Sequence, residues 1–427
     1  MHAIPRLARA TGAVLLLAFP AVADVIHVPA EQPTVAAAVA VAVDGDLILV
    51  SAGTYAQQVD VDGLSISIVG LGSPVKLRSV TVRNIPADES VLLQNLEIGN
   101  GFPIDANADA VTCLDCGGSV RIESCTVVGD WGDAGALFTI LPKDAGSGLR
   151  LVNCLDVAVV HSILAGGVGG TLDDEDLQFG PTDGGPGANV RTSHVAFFDT
   201  VLQGGAGGNV NDTVADSGGA GAAGLLNVTG VVHLSGCTLM GGSGGWGDCE
   251  FPFPGCGAGG LGGDAIHQTT SVAAFSARDL TLFPGHGGIG GDGTPTPDGQ
   301  VFGLEGGSMQ TYSEPHRDLE VTSSVAEGEH VLLTVSGEVG DQLFLLVSLT
   351  PIWLEKPALQ GLYSVSPPVV VQSLGTLAAP FLSLDAVVPE LGPGLTHLVG
   401  RVQLVVGDAG GILLGPSSTL VLRDAAE

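Results

Sequence analysis

Basic side chains are scarce in this 427-residue chain, which has 14 Lys and Arg against 45 Asp and Glu and a formal net charge of −31. Nucleic acid is therefore not expected as a partner, because neutralising phosphates requires clustered Lys and Arg. Anionic polysaccharides are disfavoured for the same reason unless cations bridge them. Aromatic residues make up only 4% of the chain, so few side chains offer a stacking surface for sugars.

Long apolar runs are also absent after the N-terminus, and none approaches the roughly 18 residues of a membrane span. The N-terminus itself predicts a secretory signal peptide over residues 1–23. Arg6 and Arg9 precede the apolar stretch GAVLLLAF, and a small-residue cleavage motif, Ala21 to Ala23, stands before Asp24. We therefore expect a secreted protein, extracellular or at the cell surface, without a transmembrane span in the mature chain.

Seven cysteines are too few to pair completely, so at least one stays free or pairs between molecules. Export permits disulfides, and the short spacing of Cys249 and Cys256 predicts one between them. The sequence leaves open how the other five pair: Cys113, Cys116, Cys125, Cys154 and Cys237.

Six segments share an apolar alternation, a polar or small break, a second short alternation and then usually glycine. They begin at Val91, Val120, Val157, Val195, Val232 and Phe275. The anchors of their last strands are Ile98, Val127, Leu164, Leu202, Leu239 and Leu282. Alternation with period two indicates strands with one buried face, and an earlier strand such as LRLVN gives each unit three. Such units stack as the rungs of a parallel coil.

Glycine-rich stretches such as GGVGG, GGAGG and GGSGG follow most of these units. We predict that they are loops which leave the coil and return to it, with glycine supplying positive φ and close backbone approach. Before the first rung, VPAEQPTVAAAVAVAVDGDLILVSAGTY predicts a short apolar helix from Thr34 to Val43. Together with the rungs, this segment resembles the right-handed parallel β-helix proteins of the pectin-lyase-like superfamily, of the exported bacterial type. The resemblance spans Asp24 to Leu304 and implies that the helix caps the coil.

Beyond residue 307 glycine becomes rarer, and apolar runs such as QLFLLVSL and HLVGRVQLVV alternate with Pro and Gly turns. Strands at this spacing predict a small antiparallel β-sandwich. The predicted fold class is all-β. The predicted domains are a signal peptide at 1–23, a parallel β-helix at 24–307 and a C-terminal sandwich at 308–427.

The break between the second and third strand of each rung forms a predicted column. Its members are Asn95, Ser124, His161, Asp199, Gly236 and Asp279. His161 and Asp199 fall on successive rungs, with Cα atoms about 5 Å apart. A carboxylate at that distance suits an imidazole acting as a general base. The alternative is a purely structural ladder of polar turns.

Two further sets of residues are candidate binding sites. The acidic stretch TLDDEDLQ contains Asp173, Asp174 and Asp176, oxygen ligands that suit calcium, the one cofactor that the sequence suggests. A simply solvated acidic loop is the alternative. Trp131 and Trp246 stand at loop starts and are candidates for stacking against a glycan.

The resemblance implies calcium and basic residues in a lyase, or clustered aspartates with a histidine in a hydrolase. No complete set of either kind stands in this sequence. We therefore expect an exported non-catalytic surface or extracellular protein, with an adhesion, matrix or envelope role and polysaccharide or other surface components as partners. The alternatives are a polysaccharide lyase or hydrolase and a glycan-binding module, since fold alone does not choose among them.

Overall fold

The chain is nearly all β, and its described part contains one helix, Val35–Val41, and one 3₁₀ turn, Pro357–Leu359. The computed structural model describes residues 23–99, 108–133, 143–173, 180–211, 216–250, 255–270, 274–304, 308–408 and 411–426. Residues 1–22, which carry most of the predicted signal peptide, lie outside the described residues. Neither described helix has the length and apolar character that a membrane crossing requires.

Each repeat contributes three short strands, which pair in parallel with the matching strands of the next repeat. The first strands are Val111–Leu114, Leu149–Val152, Ala188–Arg191, Leu225–Asn227, Ile266–Gln268 and Phe302–Leu304. The second strands are Ser90–Gln94, Ser119–Glu123, Asp156–Val160, His194–Phe198, Val231–Ser235, Ala274–Arg278 and Ser308–Thr311. The third strands are Glu97–Ile98, Thr126–Val128, Ile163–Ala165, Val201–Gln203, Thr238–Met240 and Thr281–Phe283. These three parallel stacks fit a parallel β-helix.

The predicted anchors of the third strands are direct partners in the structure. Ile98 pairs with Val127, Leu164 with Val127 and Leu202, and Leu239 with Leu202 and Leu282. All except the half-buried Leu282 are fully buried in the apolar core of the coil. A slip of one residue would turn this apolar face to solvent, so the alternation fixes the register.

The coil begins with three strands, Val25–Val28, Leu47–Asp62 and Ser67–Arg83, and the last two run through all three stacks. The helix Val35–Val41 starts at Thr34, whose Oγ1 accepts a hydrogen bond from the amide of Ala37 at 3.1 Å. It ends two residues before the predicted Val43. The amide of Val43 donates instead to the carboxylate of Asp46 at 2.8 Å, which draws the chain out of the helix.

The glycine-rich segments, predicted as loops that leave the coil and return to it, form an ordered layer. We call it the glycine layer, and it consists of residues 166–170, 184–187, 204–208, 218–224, 241–247, 257–263 and 285–291. In this layer, segments that leave the coil alternate with segments that return to it. Neighbouring segments are joined by backbone hydrogen bonds of 2.8 to 3.0 Å. The amides donate from Gly185 to Gly167, Gly205 to Gly185, Ala222 to Gly205, Gly242 to Ala222 and Gly263 to Gly242.

Close backbone approach explains why this layer needs glycine. A Cβ atom on Gly205 would overlap the carbonyl of Gly167, and one on Gly242 would overlap the carbonyl of Gly205. Neither Gly205 nor Gly242 has a positive φ, so the expected need for positive φ does not apply to them. The Gly-Gly-x pattern repeats every three residues, the period of a polyproline II helix, which has no internal hydrogen bonds. The third residue of a triplet faces solvent, as Trp246 and Ile289 do.

Two further sheets follow the coil. A three-stranded antiparallel sheet contains Asp318–Val321, His330–Ser336 and Phe381–Val387. A five-stranded sheet, antiparallel except at its short edge strand, contains Val325–Ala326, Gly411–Arg423, His397–Asp408, Gln342–Ser348 and Val370–Thr376. A hairpin of Pro351–Lys356 and Gly361–Val365 completes this part. Buried residues of both sheets, among them Leu319, Val335 and Leu404, belong to one apolar cluster.

The last parallel strand of the coil, Ser308–Thr311, lies beyond the predicted domain boundary at residue 307. It pairs with Ala274–Arg278, Ala274 being opposite Ser308. The coil therefore continues to Thr311. The sequence of this strand, SMQT, is too short and too polar for its alternation to reveal the pairing.

Candidate functional site

A column of tight corners joins the second strands to the third strands of successive rungs. The six predicted members all have φ between 44° and 68°: Asn95, Ser124, His161, Asp199, Gly236 and Asp279. This left-handed conformation favours Gly, Asn and Asp, which accounts for most of the column. The alignment derived from the repeat is therefore correct, and His161 and Asp199 lie on successive rungs.

Side chains from the segment after the last rung complete a polar cluster at this corner. We call His161, Asp199, His316 and Asp318 the corner cluster. Nε2 of His161 lies 2.9 Å from Oδ1 of Asp318 and 3.9 Å from Oδ2 of Asp199. Nε2 of His316 lies 2.7 Å from Oδ1 of Asp199, and its Nδ1 lies 2.8 Å from Oγ of Ser235. Residues far apart in sequence thus meet at one point.

The corner cluster is partly buried, and the pKa values of His161, Asp199 and Asp318 are shifted. Burial alone would lower the pKa of His161, but the hydrogen bond to Asp318 and the charges of Asp318 and Asp199 outweigh it and raise this pKa. Burial raises the pKa of Asp199 against the opposing effect of His316. Burial alone would raise the pKa of Asp318, but the hydrogen bond from His161 and the charges of His161 and His316 together outweigh it and lower this pKa. These pKa shifts favour an ion pair of His161 with Asp318 over one with Asp199.

The structure brings His161 and Asp199 together as expected, but the nearest carboxylate to the imidazole belongs to Asp318. A base for catalysis must reach a substrate proton, whereas this imidazole already bonds within the protein. The ring nitrogen of His161 and one oxygen each from Asp199 and Asp318 lie within 4.8 Å of one another. Nitrogen and carboxylate donors at that separation are a set that divalent transition metals accept.

Sequence reasoning missed His316 and Asp318. They lie in the stretch EPHRD after the last rung, where no periodicity relates them to the column. Asp279, a member of the column, holds this stretch by accepting a hydrogen bond from the backbone amide of His316. The charged run itself was the only signal that could have drawn attention to this junction.

Most outward side chains of the second strands are buried beneath the C-terminal strands. Each is at most 8% exposed: Leu92, Gln94, Arg121, Glu123, Ala158, Val160, Ala196, Phe198, His233, Ser235, Ser276 and Arg278. Leu362 and Trp353 of the C-terminal hairpin pack on Val160, Ala196 and Phe198. Most of this face of the coil is therefore an internal interface, whereas Gln310 of the last second strand, opposite Ser276, is exposed.

A buried polar network fixes this interface. Arg121 bonds Glu123 through Nε at 3.0 Å and Ser417 through Nη1 at 3.0 Å. Glu123 also accepts hydrogen bonds from the hydroxyl of Ser418 and from the amide of Thr419, the latter at 2.9 Å. Burial alone would raise the pKa of Glu123, but the charge of Arg121 and these hydrogen bonds lower it. The carboxylate is thus held charged inside the protein.

Trp131 and Trp246 stand on one face of the glycine layer. Gly132 donates its amide hydrogen to Val168, Gly169 to Ala206 and Gly207 to Ser243. This register aligns Trp131 with Ser243, and Trp246 follows one triplet further along the chain. The two indoles are 75% and 63% exposed, so both offer a free ring face.

The remaining candidates lie around the outer ends of the glycine segments. Cys249 and Cys256 form a disulfide within a short antiparallel pair. Asp173 ends the short strand Leu172–Asp173, which pairs with Val210–Asn211, whereas Asp174 and Asp176 lie outside the described residues. The calcium site therefore stays a prediction.

The other five cysteines are buried and free: Cys113, Cys116, Cys125, Cys154 and Cys237.

Comparison with known proteins identifies no family, because no protein-family model and no curated protein matches the chain. The crystal structure of YbhC from Escherichia coli is similar over 70% of this chain and 87% of its own, with 13% identity and a TM-score of 0.22. The receptor-binding domain of the Siphovirus 9NA tailspike is similar over 93% of this chain and 98% of its own, with 9% identity and a TM-score of 0.20. Scores this low carry no argument, so the function rests on the geometry of the chain itself.

Proposed function

We propose that the protein is an exported, non-catalytic β-helix protein that acts at the cell surface or in the extracellular space, in adhesion, matrix or envelope structure. The burial of the outward second-strand side chains beneath the C-terminal strands carries this proposal. An enzyme acting on a polysaccharide needs an open, concave face for its substrate. With that face occupied from Leu92 to Arg278, the stack serves as a rigid scaffold.

The same proposal includes a right-handed coil of the pectin-lyase-like type, a helix that caps its first rung and a C-terminal β-sandwich. Supporting the cap, Val35, Ala38 and Val39 are buried in the core of the coil. Supporting the sandwich, buried residues of both C-terminal sheets share one apolar cluster. Export is supported by the charged and apolar pattern of residues 1–23 and by the disulfide, which oxidising compartments permit.

A depolymerisation screen tests the non-catalytic role. The chain from Asp24 onwards is incubated with a panel of neutral and acidic polysaccharides, with calcium, with zinc and with a chelator. We expect no new reducing ends and no unsaturated products under any condition. Cleavage that disappears in His161→Ala and Asp199→Asn, while both variants keep the circular dichroism spectrum of the native fold, would overturn the proposal in favour of a hydrolase or lyase.

Glycan binding is a second candidate function, favoured by the exposed indoles of Trp131 and Trp246 on one face. Sugar rings stack on such exposed aromatic faces. Affinity electrophoresis through gels that contain neutral polysaccharides measures the retardation of the wild type and of the Trp131→Ala and Trp246→Ala variants. Retardation that each variant reduces supports binding, whereas equal mobility of all three proteins in every gel rejects it. Leu261→Ala is the control, since Leu261 is an exposed apolar residue of the glycine layer.

A further inference from the structure

We propose that His161, Asp199 and Asp318 bind one divalent transition-metal ion, with zinc the best fit, at the junction of the coil and the C-terminal strands. Their ligand atoms lie within 4.8 Å of one another. Ligands at about 2.0–2.2 Å from a tetrahedral zinc ion are roughly 3.3–3.6 Å apart. The separations from His161 Nε2, 2.9 Å to Asp318 and 3.9 Å to Asp199, bracket that range. The two carboxylate oxygens lie within 4.8 Å of each other, so side-chain rotations bring all three ligands onto one ion.

Asp199 supplies the second line of evidence. Its Oδ2 atom is buried, and no described residue gives it a hydrogen bond. Its other oxygen, Oδ1, faces Nε2 of His316 at 2.7 Å. A buried carboxylate oxygen without a partner is unfavourable, and a cation bound at Oδ2 provides one. The unpartnered atom is also the one directed towards His161.

His316 is a positioning residue in this proposal and does not bind the ion. Its Nδ1 lies 2.8 Å from Oγ of Ser235, and its backbone amide donates to Asp279. The ring is thus held through Nδ1 and its backbone through Asp279, while Nε2 faces Asp199. Carboxylates that bind metals are commonly held by such outer partners, which orient the ligand oxygen.

The donor set distinguishes among metals. One imidazole nitrogen with two carboxylates suits zinc and similar first-row ions, whereas calcium takes six to eight oxygen ligands. Three protein ligands leave a tetrahedral ion one position for water. This site is separate from the calcium site predicted at Asp173, and it does not depend on the non-catalytic role proposed above.

The ion would cross-link two rungs of the coil and the first C-terminal strand. His161 and Asp318 are 157 residues apart in the chain, and Asp199 belongs to the next rung. An ion that binds only the folded chain stabilises it in proportion to its occupancy. The metal would therefore hold the C-terminal strands on the coil.

Calorimetric titration of untagged, chelator-treated protein with zinc chloride tests the proposal. We expect one ion per chain, a higher melting temperature with zinc, and loss of binding in His161→Gln and Asp318→Asn. His316→Gln should weaken binding by about 10- to 100-fold, as loss of an outer partner does. The control is His330→Gln, because His330 and Asp385 form an exposed pair at 2.7 Å with no third ligand among the described residues. It should bind zinc as the wild type does.

Unchanged zinc binding in His161→Gln and Asp318→Asn would overturn the site, and so would the absence of binding by the wild type. If either variant fails to fold, cobalt titration of the wild type decides the question. The visible d–d band of four-coordinate cobalt, displaced by one equivalent of zinc, supports the site. Its absence rejects the site. Neither result depends on the outcome of the depolymerisation screen.

Discussion

The imidazole of His161 and the carboxylate of Asp318 lie 2.9 Å apart, although 157 residues separate them in the chain. The first residue turns a corner of the coil, and the second begins the first strand after it. Their contact lies at the edge of a long interface in which the C-terminal strands cover the second-strand face. The site and the cover are therefore parts of one arrangement.

Glu123→Gln should destabilise the protein strongly, because it leaves the buried guanidinium of Arg121 without its charged partner. Breaking a buried ion pair by changing one member costs about 3–5 kcal/mol. The free energy of unfolding in urea measures the effect. Asp60→Asn is the matched control, since Asp60 pairs with Arg83 on the surface, where both side chains are more than 40% exposed. Equal effects of the two substitutions would show that the interface around Glu123 is open to solvent.

Gly205→Ala should destabilise the glycine layer, since the added Cβ meets the carbonyl of Gly167. Overpacking of this kind costs about 1–3 kcal/mol. Gly180→Ala is the control, because its Cβ would meet nothing closer than the Asp216 carboxylate at 3.6 Å. Thermal unfolding of both variants checks this. A Gly205→Ala protein as stable as Gly180→Ala would mean that the glycine segments are loosely held.

His233 should make the protein sensitive to acid. Burial, assisted by the charges of Arg278 and His316, lowers its pKa from 6.5 to about 3. The unfolded chain therefore binds more protons between these values, so the stability that neutral His233 contributes above pH 6.5 is lost as the pH falls towards 3. Urea unfolding from pH 7 to pH 4 should show a shallower loss of stability in His233→Leu than in the wild type. His286→Leu, at a site 87% exposed, should follow the wild type. Parallel curves for wild type and His233→Leu would contradict the burial of this ring.

Much of the coil could be predicted because its side chains alternate with period two. The anchors from Ile98 to Leu282 and the corners from Asn95 to Asp279 follow from aligning six segments. That alignment also brought His161 next to Asp199. Local alternation and turn chemistry determine these features, and both can be recognised in short stretches of sequence.

The covering of the second strands could not be predicted in the same way. The sequence alternation places Arg121, Glu123 and His233 on the outward face but does not show what covers them, because the strands that bury them carry no matching period. His316 and Asp318 escaped notice for this reason. The glycine layer was different, since its Gly-Gly-x triplets are visible in the sequence. They predict loops that leave the coil and return to it, with glycine supplying positive φ and close backbone approach, and close approach is what the structure shows at Gly205 and Gly242.

The accessibility of the second-strand face tests the central claim most directly. Ala196 and Ala158 are 0% and 8% exposed beneath the C-terminal strands, whereas Ile163 on the neighbouring third strand is 46% exposed. Each is replaced by cysteine in turn, and the rate of maleimide labelling is measured on the folded protein and in urea. The five native free cysteines are buried, so they contribute little labelling in the folded state. We expect slow labelling of Ala196→Cys and Ala158→Cys until urea is added, and fast labelling of Ile163→Cys throughout. Labelling of all three at the same rate in the folded protein would mean that the face is open, and it would contradict the proposed non-catalytic scaffold.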